Sequence, residues 1–152
     1  MKPVRIAALR RQVRERARER CEYCLLAETE AFFPHEPDHI ISRKHGGETV
    51  LKNLALACFD CNRFKGSDIA SGDPASGTLT PLFNRRLQHW NEHFQLEHGG
   101  ILPLTRTGRA TARLLQVNLP HRIEIRRDRA TAGFFNTGTQ KFVLLTFRYT
   151  AA

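Results

Sequence analysis

Apolar residues recur along the chain at intervals that switch between helical and extended. Ile6, Leu9, Val13 and Ala17 fall at spacings of three and four, which predicts a helix over 4–20. Phe32 and Phe33 lead into an extended run through Ile41, and Leu54-Ala55-Leu56-Ala57 reads as a second short strand. Gly46-Gly47 between them demands a turn, and the segment from Cys61 to about Lys65 starts a helix. Ser67 to Thr80 is rich in Ser, Gly, Asp and Pro and reads as a loop. Over 81–98, Phe83, Leu87, Trp90 and Phe94 keep helical spacing; that stripe reads as packing, not as a platform for bases. The histidines there (His89, His93, His98) form no ligand pattern and read as surface residues. Gly99-Gly100 marks a turn and Ile101–Leu104 a short strand. Thr105 is a candidate N-cap for a helix to about Asn118, with Ala110, Leu114, Leu115 and Val117 on its apolar side. Pro120 opens a short basic segment. Phe134–Thr150 is β-prone, with Asn136-Thr137-Gly138 as the turn of a hairpin.

These elements divide the chain into a basic N-terminal helix (1–20), an informative core (21–68), a linker (69–80), a helical extension (81–130) and a β-prone tail of unassigned role (131–152). The 152 residues are 41% hydrophobic, enough for a modest core that would gain from a metal staple.

Charge narrows the partner. There are 24 Lys plus Arg against 15 Asp plus Glu, a formal net charge of +9. Such an excess favours polyanions, and arginine suits bidentate phosphate contacts. Seven arginines lie between Arg5 and Arg20; they serve either as a solvated helix face or as an arm against a phosphate backbone. No run of about 18 apolar residues predicts a membrane span. The charged N-terminus carries no apolar secretory core, so an intracellular, cytoplasmic location is expected.

In a reducing compartment, paired cysteines read as metal ligands before disulfides. Cys21-Glu22-Tyr23-Cys24 and Cys58-Phe59-Asp60-Cys61 are two Cys-x2-Cys knuckles. Each offers two thiolates across a tight turn, and together they complete a tetrahedral zinc site. The residues between must leave and return, as a hairpin does. Four thiolates leave no open coordination position, so this zinc should hold the fold and perform no chemistry.

Between and just beyond the knuckles lie residues suited to phosphodiester hydrolysis. A neutral histidine can take a proton from water at physiological pH, and one hard divalent cation can hold the phosphate and the departing oxygen. Asp38 and His39 alternate on one strand, placing a carboxylate beside an imidazole.

The order Cys21-x2-Cys24, Asp38-His39-Ile40-Ile41, His45-Gly46-Gly47, Asn53-Leu54 and Cys58-x2-Cys61-Asn62-x2-Lys65-Gly66 resembles the HNH endonucleases in their zinc-knuckle-flanked form. Looser likeness to small, often bacterial, proteins of that group runs on through the segments near residues 81, 90 and 107. The resemblance implies an α+β fold: a small ββα-metal (His-Me finger) core with a four-cysteine zinc site and flanking helices. It implies His39 as general base, Asn53 as the brace that keeps it aimed, and Asp38 and Asn62 as ligands of one catalytic divalent cation. Asn62 stands where the last histidine of the name usually sits, so the chain is an H-N-N variant. Asparagine oxygen suits Mg2+ or Mn2+. His35 and His45 read as structural or phosphate-facing. Arg43, Lys44, Arg63 and Lys65 flank the site as candidate nucleic-acid contacts. The expected partner is DNA; the phosphate chemistry does not itself exclude RNA. A zinc-stabilised DNA-binding module without turnover is the rival from a different class.

Overall fold

A computed structural model describes residues 3–131, so the expectation of a hairpin over 134–150 lies outside the described residues. The fold is α+β, built on three separate two-stranded antiparallel sheets. No described helix is long and apolar enough to cross a membrane.

Helix α1 (Pro3–Ala17) forms where the sequence predicts it. Val13 is fully buried against Leu54 and Leu56, with Leu9 and Ala17 beside it, whereas Ile6 remains exposed. Several of its arginines fasten it down. Arg14 pairs with Glu28 and donates to the His35 carbonyl at 3.2 Å. Arg16 donates to the carbonyls of Leu51 (2.9 Å) and Leu54 (2.6 Å). These two side chains are therefore neither a bare solvated face nor a free arm.

Strands β1 (Glu36–His39) and β2 (Leu54–Ala57) pair with Asp38 opposite Ala55 and His39 opposite Leu54. β1 stops two residues short of Ile41, because the Asn53 side chain takes the Ile41 N–H and carbonyl that would have continued the ladder. Helix α2 (Phe59–Lys65) starts at the second knuckle, where the Cys58 sulfur caps it by accepting from the Cys61 N–H.

Two expectations fail next. The 69–80 stretch is no slack linker: β3 (Ala70–Gly72) pairs with β4 (Leu79–Pro81), and the loop between them buries Asp73. Arg109 binds that carboxylate through two nitrogens at 2.7 and 2.8 Å, a partner 36 residues away that local composition cannot show. Nor is 81–98 one helix. Only a single turn forms, α3 (Trp90–His93), followed by the hairpin of β5 (Phe94–Glu97) and β6 (Gly100–Pro103). Phe83, Trp90 and Phe94 are buried, but Leu87 is 82% exposed. The aromatic spacing serves one cluster fed from several elements; Phe94 packs on both Phe83 and Trp90 at 5.3 Å. His93 is not a free surface residue: its Nδ1 meets the Thr105 hydroxyl at 2.6 Å.

Helix α4 (Arg106–Leu114) is capped by Thr105, whose hydroxyl accepts from the Gly108 N–H, as the sequence predicts. It ends before Asn118 because Gln116 turns left-handed (φ 47°) and the Asn118 amide instead closes on the Ile101 backbone. Helix α5 (Pro120–Thr131) then crosses back to the first knuckles.

Candidate metal centres and active site

The four cysteine sulfurs lie within 4.8 Å of one another, all buried and free of disulfides. Cys24 and Cys58, from opposite knuckles, stand 3.7 Å apart. A tetrahedron with metal–sulfur bonds of about 2.3 Å has edges of about 3.8 Å, which the Cys24–Cys58 separation matches. Burial pushes the Cys21 and Cys61 thiols up, whereas hydrogen bonding from Cys21 and the other two sulfurs holds Cys24 well down. A bound divalent ion is what would let all four ionise together.

Two buried arginines complete this centre, and both come from α5. The Arg122 guanidinium donates to the Cys61 sulfur at 2.9 Å and lies 3.7 Å from that of Cys58. Burial opposes its charge, but Cys24, Cys61 and Cys58 more than offset that and hold it above its ordinary value. Arg126, one turn on, donates to the carbonyls of Gly99 (2.6 Å) and Val117 (2.6 Å). A tetrathiolate zinc would carry two net negative charges, which the adjacent Arg122 guanidinium would partly offset. The sequence shows these arginines only as members of a short basic segment after Pro120.

Ahead of the zinc site, β1 presents Asp38 inward and His39 to the other face, as the period of a strand requires. The His39 ring sits half-buried with Nε2 at 2.8 Å from the Thr49 hydroxyl. Its carbonyl accepts from Lys65 Nζ at 2.8 Å, and the next N–H, of Ile40, donates to the Asn53 carbonyl. The imidazole is thus carried on backbone anchored on both sides.

Asn53 is the brace. Its amide oxygen accepts from the Ile41 N–H at 3.0 Å, and its nitrogen donates to the carbonyls of Ile41 (2.9 Å) and Glu48 (3.0 Å). The loop it closes needs its glycines. Gly46 is left-handed at φ 83°, and a β-carbon on Gly47 would stand 1.7 Å from the Ile41 carbonyl oxygen and 2.8 Å from the Asn53 amide nitrogen.

Asp38 is more constrained than a bare ligand. It is 6% exposed; the Tyr23 hydroxyl donates to its Oδ2 at 3.0 Å, and Lys65 Nζ lies 3.1 Å from the same oxygen and 3.5 Å from Oδ1. Burial raises the Asp38 carboxyl, against the pull of Lys65. Burial also raises the Tyr23 hydroxyl, which keeps it a donor. Asn62 is half-buried on α2, three residues before Lys65 and so on the same helix face.

The cations around the site divide. Arg43, Lys44 and Arg63 are exposed, as a phosphate contact requires. Lys65 is not: it is 2% exposed and turned onto Asp38, which corrects its reading as a surface contact. His35 is buried and structural, its Nε2 on the Leu26 carbonyl, while His45 is exposed in the loop. Tyr23 and Thr49 bear no signal in the sequence beyond their neighbours; only the fold brings them to Asp38 and His39.

For the second cation, the donor set is right in kind. A carboxylate and an amide oxygen on adjoining elements suit Mg2+ or Mn2+ better than zinc or nickel. The carboxylate's lone pairs are shared with an ammonium and a phenol, so a cation there has Lys65 as its neighbour.

Residues 21–68 match the family model described as HNH endonuclease. That span holds both knuckles, β1, β2, α2 and every residue around His39, and it is similar to the HNH endonuclease family over about a third of the chain. No curated protein and no solved structure matches the chain.

Proposed function

We propose that the chain is a metal-dependent endonuclease that hydrolyses phosphodiester bonds in DNA, working inside the cell. The observation that supports this best is the restraint on His39: an imidazole held by Thr49, with its backbone held by Lys65 and Asn53. Such restraint is what a general base needs and a surface histidine does not.

In this reading Nε2–H donates to the Thr49 hydroxyl, which leaves the lone pair on Nδ1. Nδ1 takes a proton from the attacking water. The new bond forms between the water oxygen and phosphorus, the bond from phosphorus to the bridging oxygen breaks, and that oxygen leaves with the electron pair. Asp38 and Asn62 would hold one Mg2+ or Mn2+, which supplies charge neutralisation at the phosphate. Arg43, Lys44 and Arg63 clamp the flanking phosphates. Cys21, Cys24, Cys58 and Cys61 would hold a zinc that keeps β1, β2 and α2 in register.

A binding module without turnover draws support from one observation, the pairing of Asp38 with Lys65. Supercoiled plasmid incubated with Mg2+ or Mn2+ separates the two. Wild type should nick or linearise it, and His39→Ala should lose at least two orders of magnitude, the scale of general-base catalysis at roughly 10²–10⁴. Equal cutting by both proteins would sink the assignment of His39; retention of DNA with no cutting by wild type would favour the module. Parallel RNA substrates test the polymer.

A further inference from the structure

We propose that Lys65 is an internal counter-ion that competes with the divalent cation for Asp38, so that cation loading requires its ammonium to leave the carboxylate. This rests on the reading of Asp38 as a metal ligand.

The geometry carries it. Lys65 Nζ lies 3.1 and 3.5 Å from the two Asp38 oxygens, and its remaining hydrogen bond goes to the His39 carbonyl at 2.8 Å. Both side chains are nearly sealed from water, at 2% and 6% exposure, so the charges are little screened. Tyr23 adds a second donor to Oδ2. A divalent ion bonded to either oxygen would stand within a few ångströms of a full positive charge, in a medium where like-charge repulsion changes affinity by orders of magnitude. The lysine stem can give way. It is flexible, and Lys65 is the last residue of α2, where the helix backbone ends. Once released, the ammonium is a mobile cation beside the base. Only the carboxylate has to be given up; the hydrogen bond to the His39 carbonyl, which restrains the base, can persist.

A purely structural ion pair makes the opposite prediction. If Lys65 only ties α2 to β1, removing its charge weakens the site and everything that binds there.

The test measures Mn2+ binding to the zinc-loaded full chain by calorimetry and by electron paramagnetic resonance, without nucleic acid. Lys65→Met should bind Mn2+ at least about tenfold more tightly than wild type. Lys65→Arg, which keeps the charge, should stay near wild type, and Asp38→Asn should lose the site. Lys65→Met should also gain more melting temperature from Mn2+ than wild type does, since the ion replaces the missing charge. Should Lys65→Met fail to fold, Lys65→Gln keeps a donor without the charge and is held to the same tenfold criterion. Equal or weaker binding by the uncharged variants overturns the competition. If Mn2+ then still needs Asp38, the metal-ligand reading survives and only the inference falls. If no variant binds Mn2+ at millimolar concentration, that reading falls as well.

Discussion

Arg122 donates a hydrogen bond to the sulfur of Cys61 across 61 residues of sequence, so a helix outside the matched span 21–68 closes over its cysteine cluster. The core has the knuckles, but their charge would be partly offset from α5. This ties the C-terminal extension to the nuclease-like unit more firmly than apolar packing alone would.

Loss of that bond should loosen the zinc. Arg122→Met keeps the volume of the stem and removes the donor. Hydrogen bonds to charged groups contribute about 1.5–3 kcal/mol, so melting should fall by several degrees. Zinc transfer to a chromogenic chelator should accelerate about tenfold or more. Unchanged release would mean the guanidinium only fills space.

The brace at Asn53 makes a second, separable prediction. Asn53→Ala deletes three hydrogen bonds to the loop that follows β1, each worth roughly 0.5–1.5 kcal/mol. Gly47→Ala inserts a methyl where the Ile41 carbonyl and the Asn53 amide already stand. Both variants should retain zinc and most helical circular dichroism, yet lose plasmid cleavage by at least about tenfold, because His39 is no longer aimed. Amide exchange across 41–53 should quicken in both. Protection there equal to wild type would argue against the brace.

Acid stability should carry the mark of Asp73. Its hydrogen bonds to Arg109 hold the carboxyl well below the usual carboxylate range. A group depressed in the folded state contributes stability that is fully present above its unfolded value of about 3.9 and is lost as pH falls towards the folded value. Urea midpoints of wild type and Asp73→Asn should therefore differ by a constant amount from pH 7 to 5 and converge as pH drops below about 4. A gap that stays constant down to pH 2 would refute the ion pair as the cause.

The legible parts of this chain were those where local chemistry dictates local shape. Two Cys-x2-Cys knuckles, a Gly-Gly turn and the Leu54–Ala57 run placed the zinc cluster, the loop and β2 correctly. Thr105 was legible because an N-cap is decided within three residues. Asn53 was legible only through resemblance, and its side chain holds the Ile41 and Glu48 backbone. What escaped were contacts between distant positions. Asp73 looks like a turn residue until Arg109 arrives, and Phe83, Trp90 and Phe94 imitate a helix because they fill one cluster from three directions. Lys65, Arg122 and Arg126 escaped for a shared reason. Charged side chains are read as solvent-facing, but Lys65 meets a buried carboxylate, Arg122 the cysteine sulfurs and Arg126 a set of backbone carbonyls.

The three ribbons, each two strands wide and none joined to another, have a consequence for how the described part of the chain comes apart. No shared ladder runs through the body to transmit order from one end to the other. Long-distance cohesion falls mainly to side chains and to the four clustered cysteines, so withdrawing an ion held there should dissolve the assembly in a single step.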